Sequence, residues 1–442
     1  MYPDSSSRSQ ALHTRARAAL PGGNTRTTVY LSPYPVYASH GEGCRVHDVD
    51  GNVLIDCINN FTALIHGHVQ PDVNAAVRRQ LERGTAFGMP TESEILLAEL
   101  LAERVPSIEH IRFTNSGTEA VMMALKAARA YTGRARIAKV EGAYHGSYDY
   151  AEISLDARPE NWGPARAPVS IPYAKGTPPA VLDDVVVLPL NETAATEALL
   201  REHGASLAGV LIDLLPNRAG LVPASPDYLA MLRRVTTELG IVLIVDEVIT
   251  LRLGLGGAQA RLGITPDLTT VGKIMGGGFP VGGVGGRADI MAVFDPSQGR
   301  PAVPHGGTFS ANPVTMTAGL TAMRLLDAAS HAHLDRMGET LRHALNRAFE
   351  DSGVAGQATG LGSLIKLHMK TGPLTSYRDA WPDPIQARAM QRLNVEMLNR
   401  GVLMAGYGLM ALSTAMSDAD IEQIAEATHD ALLALRRTEE QA

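Results

Sequence analysis

Residues 207–215 read LAGVLIDLL and residues 240–249 read GIVLIVDEVI, with the helical pattern SPDYLAMLRRVTTEL between them. Neither apolar run alternates with polar residues, so a strand made from it has no face to give to water. Parallel strands covered by helices on both sides satisfy such runs. Each run is also far too short to span a bilayer. The same alternation appears upstream, where HIRFTNSGTEAVMMALKAARAYTG predicts a strand, a polar turn and a helix ending at Gly133, and RARIAKVEGAYHG predicts a short strand opening onto a turn.

A chain of 442 residues exceeds what one hydrophobic core usually holds, so two domains are expected. In CRVHDVDGNVLIDC the DVDGN turn predicts a hairpin. TESEILLAELLAERVP predicts a helix with a capping box at Thr91 and Glu94, with Ile95, Leu96, Leu100 and Leu101 on its apolar face and Pro106 as a stop. Beyond Asn312 long helical patterns alternate with the strand-like GLGSLIKLHM and GVLMAGYGLMALS. The expected division is a large domain over 66–311 and a smaller α+β domain over 312–442, joined by the N-terminal segment 1–65.

The formal net charge of -7, with no lysine- or arginine-rich run, argues against nucleic acid as a partner. Cys44 and Cys57 are the only cysteines and predict two reduced thiols, which favours the cytoplasm. The polar start MYPDSSSRSQALHTRARAAL lacks the apolar centre of a secretory signal, and no membrane-spanning run is found.

Three features sit where strands give way to loops. NSGTEA puts Ser116, Gly117 and Thr118 at a helix start, where free N–H groups and hydroxyls suit a phosphate, although the same residues serve as an ordinary N-cap. Asp246 and Glu247 end the run IVLIV. A buried carboxylate there needs a cationic partner, for which a pyridinium nitrogen or a metal ion would serve. Lys273, between two glycine-rich stretches in TTVGKIMGGGFPVGG, could be a surface lysine, or an amine desolvated enough to bond an aldehyde as a Schiff base. Glycine in that stretch lets another group approach the backbone closely. Pyridoxal 5′-phosphate asks for all three features together, having a phosphate, a ring nitrogen that must stay protonated, and an aldehyde. His66 and His68 in HGH lack a third ligand at recognisable spacing, so no metal is expected, and LRLGLGGAQ and GGVGGR do not have dinucleotide-binding spacing.

FTNSGTEA, AYHGSY, VDEV, GKIMGGGFPVGG and HGGTFSANP, in that order, resemble the motif set of class III aminotransferases, the fold-type I pyridoxal-phosphate enzymes. The likeness runs from PGGNTRT to the last helix, nearest the branch that holds glutamate-1-semialdehyde aminomutase and β-amino-acid aminotransferases. It implies an α/β fold with a mostly parallel seven-stranded sheet in a large domain, plus a smaller α+β domain. By the same resemblance Lys273 bonds the cofactor and moves the substrate proton, and Asp246 pairs with the ring nitrogen. Ser116, Gly117 and Thr118 hold the phosphate, Tyr144 stacks on the ring with His145 beside it, and Val248 packs on the other face. Thr308 reaches the neighbouring subunit's phosphate, which implies a homodimer with shared active sites.

Arg26 matches a substrate-carboxylate arginine of the family, a role that suits a guanidinium fork. Two stretches depart from the pattern. IDLLPNRAG has Asp213-Leu214 in place of the common Glu-Pro and Arg218 where small residues are usual. MAGYGLMALSTAMSD has Tyr407 where β-amino-acid enzymes tend to carry a second arginine, and lacks the Ala-His-Thr run of the aminomutase. Arg26, Arg218 and Tyr407 are thus the candidate substrate residues. The expected activity is transfer of an amino group from an amine or β-amino acid donor to an oxo acid acceptor. The alternatives are an intramolecular aminomutase or an epimerase on the same scaffold, and, from another class, a non-catalytic cofactor-binding regulator, against which the presence of Lys273, Asp246 and Tyr144 together argues.

Overall fold

A computed structural model describes residues 2–439 of the protein. Two compact units emerge, the larger from residues 71–332 with 373–381, the smaller from residues up to 70, 333–372 and those from 382 on. The larger unit is built on seven strands: β1 (His110–Thr114), β2 (Arg136–Val140), β3 (Val185–Leu188), β4 (Leu207–Ile212), β5 (Val242–Asp246), β6 (Leu268–Gly272) and β7 (Gly282–Gly286). Their order across the sheet is β1-β7-β6-β5-β4-β2-β3. β7 runs antiparallel to both β1 and β6, and the other strand pairs are parallel. Strands β3 to β7 are buried along their whole length, as their unbroken apolar runs require.

The exception to that apolar rule is β7, whose sequence is GGVGG. It lies between two strands with their loops pressed close: a Cβ on Gly282 would stand 2.0 Å from the Ser116 carbonyl oxygen. Only a bare backbone fits there, so the glycines form a strand by exclusion rather than by propensity.

The helix Gly117–Thr132 covers β4, β6 and β7. Ser116 caps it by accepting from the Glu119 N–H, and Gly133 ends it in the left-handed region at φ 70°. Its small residues Ala124, Ala127 and Ala128, with Val121 and Leu125, share one core with Ala208, Leu211, Val242, Ile244 and Leu268. Burial of each large aliphatic side chain contributes about 1.5–3 kcal/mol.

Helix Glu92–Arg104 forms as expected, but Thr91 makes no side-chain cap bond, its hydroxyl meeting Ser93 Oγ at 3.1 Å instead. The buried pair is Leu97 and Leu101, one turn apart, while Ile95 is 55% exposed. Helix Pro313–Leu325, expected to open the second domain, belongs to the larger unit. Val314, Ala318 and Ala322 on one face pack against Val73 and Val77, and Gly319 rides directly on the turn that follows β6. A Cβ on Gly319 would lie 2.0 Å from the Met275 carbonyl oxygen. Gly277 answers the same contact, since a Cβ there would meet the Ala318 carbonyl at 2.5 Å. Gly319→Ala is therefore expected to destabilise the protein by about 1–3 kcal/mol. Urea unfolding checks this, and an unchanged midpoint would mean that the helix shifts freely.

The smaller unit holds the expected hairpin as Arg45–Asp48 and Val53–Asp56, with Ala38–Glu42 on one side and Val402–Leu403 in parallel on the other. A second sheet pairs Gln357–Leu361, Leu364–His368 and Leu409–Ala411 antiparallel. Among the described residues no helix is long and apolar enough to cross a membrane.

Candidate active site

Five of the parallel strands deliver polar residues to one edge of the sheet: Asn115 and Ser116 after β1, Glu141 to His145 after β2, Asp213 after β4, Asp246 at the end of β5, and Lys273 after β6. Ligands bind at this edge in open α/β sheets because the loops there leave a crevice while the strands hold their ends rigid.

Asp246 is buried and fully oriented. One carboxylate oxygen accepts from the Val248 N–H at 3.0 Å and from Thr270 Oγ1 at 2.9 Å, and the other meets His145 Nδ1 at 2.7 Å. Hydrogen bonds to a charged acceptor are worth about 1.5–3 kcal/mol each, so the carboxylate has little freedom to swing. Burial pushes the His145 imidazole below its ordinary pKa, against the pull of Asp246. The neutral ring donates from Nδ1, and its Nε2 is buried with no hydrogen-bond partner.

Glu247, the next residue, points the other way, as successive residues of a strand must. It is fully buried and accepts from Thr250 Oγ1 at 2.6 Å, the Gln259 N–H at 2.7 Å and the Ala258 N–H at 3.0 Å. Of the acid pair, Asp246 serves the site and Glu247 fixes a loop.

Asp213 was singled out in the sequence only as a departure from a motif. The pairing of Ile212 with Val245 sets it beside Asp246 on the neighbouring strand. Burial, and then the charge of Asp246, push its pKa up to about 8. Asp213 thus holds its proton at neutral pH. Its signal in the sequence was its place at the end of an apolar run, the same place Asp246 has.

Lys273 opens the turn Lys273–Gly276 with φ 49°, a left-handed conformation that costs a non-glycine residue about 1–3 kcal/mol. Burial brings its amine down to a pKa of about 8, with Asp246 and Asp213 pulling upward and the buried Arg252 downward. About a tenth of the amine is thus neutral and nucleophilic at pH 7, far more than for an ordinary lysine. Nothing in the sequence marked Arg252 or Thr270 as belonging to this site.

Contacts tie the remaining candidates together. Thr118 Oγ1 accepts from the Ser147 N–H at 3.1 Å, which brings the loop of Tyr144 and His145 to the helix start. Val248 lies over Gly117, whose Cβ would be 2.9 Å from its Cγ1. Ser116 Oγ is used on Glu119, so the N–H groups of Gly117 and Thr118 precede the first intrahelical bonds. Tyr144, beside His145, is 48% exposed. Thr308 is exposed, in a turn beside Asn115: a Cβ on Gly307 would be 3.2 Å from Asn115 Nδ2.

The candidate substrate residues divide between the two units. Arg218 pairs with Asp156 at 2.5 Å within the larger unit, so its charge is already matched. Arg26 and Tyr407 belong to the smaller unit. Arg26 is exposed, donates to Asn60 Oδ1 at 2.7 Å and sits 5.7 Å from the Phe61 ring centre. Its two partners lie in a run of four left-handed residues, Asn59 to Thr62. Tyr407 has the Lys366 ammonium 5.6 Å from its ring centre. Of the HGH histidines, His66 Nδ1 meets Thr414 Oγ1 at 2.9 Å and His68 Nε2 meets Asp56 at 2.8 Å.

The donor set suits pyridoxal 5′-phosphate. Asp246 keeps unused acceptor capacity for a protonated ring nitrogen, the helix start has N–H groups for a phosphate, and Lys273 is a softened amine at the same edge. Residues 29–432 match the family described as aminotransferase class-III. The chain is 41% identical to the glutamate-1-semialdehyde 2,1-aminomutase of Methanothermobacter thermautotrophicus, over 84% of this chain and 86% of that one. It is 37% identical to the β-phenylalanine transaminase of Variovorax paradoxus, over 96% and 92% respectively. The crystal structure of an ω-transaminase from Sphaerobacter thermophilus superposes with a TM-score of 0.96 at 53% identity, covering 98% of this chain and 99% of the other.

Proposed function

The chain belongs to the class-III aminotransferase family, and from that membership we propose how its residues divide the work of transamination. It is a pyridoxal-phosphate-dependent transaminase with a fold-type I architecture. When bound, the cofactor supplies an aldehyde that bonds amines and a protonated ring that draws electrons from the donor's amino-bearing carbon.

Lys273 Nζ would hold the cofactor through its aldehyde and, once freed, would be the base that takes the proton from the donor's amino-bearing carbon. A pKa of about 8 suits an amine that must both accept and give up a proton. Asp246 keeps the proton on the ring nitrogen, and His145 holds Asp246 in place through its Nδ1–H. Ser116, Gly117 and Thr118 hold the phosphate, Tyr144 covers one ring face and Val248 the other. The observation that carries this assignment is the convergence of a softened lysine, a three-times hydrogen-bonded aspartate and an open helix start on one sheet edge.

Thr308 completes the phosphate site of a second copy, making the working enzyme a homodimer with shared sites. Two free, buried thiols, Cys44 and Cys57, fit a cytoplasmic protein. The amino donor is an amine or β-amino acid and the acceptor an oxo acid, with Arg26 as the carboxylate partner. Arg26→Ala is expected to raise KM for the carboxylate-bearing substrate about tenfold to a hundredfold, the loss of one charge-assisted hydrogen-bonding group. KM for a donor without a carboxylate is expected to stay unchanged. Equal effects on both donors would remove Arg26 from the substrate site.

A second reading, an aminomutase, is favoured by the similarity to several glutamate-1-semialdehyde 2,1-aminomutases. A screen of amine and β-amino acid donors against pyruvate and 2-oxoglutarate separates the two. A transaminase turns over only when an oxo acid is added, whereas an isomerase converts a single amino substrate without one.

A further inference from the structure

Residues 373–381 fold onto the larger unit although the chain on both sides of them belongs to the smaller one. The segment is stiff. Ser376 and Asp379 form a capping box on the short helix Tyr377–Ala380, and Asp379 also accepts from the Thr375 N–H and hydroxyl at 3.1 and 2.7 Å. Asn191 Nδ2 donates to the Thr375 carbonyl at 2.9 Å.

Two of the strap's contacts, at Glu141 and Gly142, fall on the loop that carries Tyr144 and His145. Arg378 grips Glu141 with two parallel bonds, Nε to Oε2 and a terminal nitrogen to Oε1, both 2.9 Å. Its remaining donors reach the Trp162 and Gly163 carbonyls at 2.9 and 2.8 Å, and its plane lies 4.8 Å from the Trp162 ring centre. Tyr377 donates to the Ala157 carbonyl at 2.7 Å and packs edge-on against Trp381. The Tyr377 ring rests on the backbone of Gly142, where a Cβ would come within 2.0 Å of it. Gly142 is also left-handed at φ 72°, so the turn itself calls for glycine.

Three residues before Gly142, the fully buried Lys139 donates to the Val140 and Ile153 carbonyls at 3.0 and 2.7 Å. The other end of the loop is fixed by His145 on Asp246 and by Ser147 on Thr118. Between those anchors the strap supplies the only side chains bonded to Glu141 among the described residues. A fork held at two points fixes both position and angle, which a single bond does not.

We infer that Arg378 and Tyr377 are positioning residues that set the Glu141–His145 loop so that Tyr144 and His145 meet the cofactor. This rests on the cofactor roles proposed above for Tyr144 and His145. Neither strap residue touches the reacting atoms. They act by holding the loop at the angle the site needs, and small misplacements of such a group cost far more than the contacts themselves.

The test uses the full-length protein and pyridoxal 5′-phosphate in four forms: parent, Arg378→Lys, Gly142→Ala, and the double variant Glu141→Gln/Arg378→Met, which removes both charges of the Glu141–Arg378 pair together. Cofactor dissociation constant, kcat at saturating cofactor, KM and thermal midpoint of the cofactor-free protein are read for each. The expected result is a dissociation constant raised about tenfold to a hundredfold with kcat lowered and KM for a carboxylate substrate unchanged, in every variant that keeps the parent's midpoint. A purely structural role would move the midpoint and leave these constants alone. Arg378→Lys keeps the charge, so it is the variant that decides if the other two fail to fold. Folded Arg378→Lys protein with the parent's dissociation constant and kcat would overturn the inference while the functional reading stood. A parent protein that takes up no cofactor would overturn both.

Discussion

Lys273→Ala is expected to lose transaminase activity by on the order of 100,000-fold, and with it the visible absorbance of the protein-bound cofactor. Both losses follow from one atom. The amine is the point of covalent attachment and the base that carries the proton, and alanine supplies neither. The position is also strained, with Lys273 left-handed at φ 49°. Alanine is no easier there, so the fold gains nothing that would mask the effect. Cofactor is expected still to bind, through the helix start and Asp246, but to wash out on gel filtration. In the parent, the rate of covalent capture by cofactor-free protein should climb as pH rises through about 8, because the neutral amine is the nucleophile and its pKa is about 8. Added small amines should restore part of the activity of the alanine variant. Borohydride reduction that fixes cofactor to a different lysine would contradict the assignment of Lys273.

Asp246→Asn is the second large effect, a fall in kcat on the order of a thousandfold. The amide matches the carboxylate in shape, so Val248 and Thr270 can still donate to its oxygen. What changes is charge. An amide does not stabilise a proton on the ring nitrogen, and its NH2 would face the Nδ1–H of His145 at what is now a 2.7 Å bond. His145 can relieve that clash only by moving its proton to Nε2, which is buried without a partner. The substitution thus removes the electron sink and disturbs the group that positions it. A reduced kcat, with a lower thermal midpoint from the unpaired His145 proton and weaker cofactor binding from the lost charge, is the expected pattern. A variant within about tenfold of the parent kcat would show that Asp246 is not the partner of the ring nitrogen.

The acid pair shows how much of this could be read in advance. That an apolar strand ends in Asp246-Glu247 is visible in the letters, and so is the need of a buried carboxylate for a partner. Which acid faces the site depends on the twist and register of a strand within a sheet, and that register is set by β4 and β6 on either side. Asp213 makes the same point. Its letter was noticed, but its place beside Asp246 exists only once β4 and β5 are paired. Arg218 shows the converse, a residue whose type suits a carboxylate and which is satisfied by Asp156 of its own chain.

Glycine misled in one direction. The stretch around Lys273 was expected to admit another molecule. At Gly277 the group that comes close is the protein's own helix Pro313–Leu325, and in GGVGG glycine makes a strand. The residue type says that something must come near and does not say what.

By itself, the sequence determined the order of strands and helices, the parallel character of the sheet and the grouping of Ser116, Asp246 and Lys273 at strand ends. All of these follow from hydrophobic periodicity, caps and turns, which act over a few residues. Only the tertiary structure decided which acid faces the site, what holds His145, and that Arg378 returns across 237 positions to grip Glu141. Those outcomes depend on burial and on contacts between distant segments. Loop closure over such a separation costs little more than over a short one, so local sequence carries almost no trace of which distant partner is chosen.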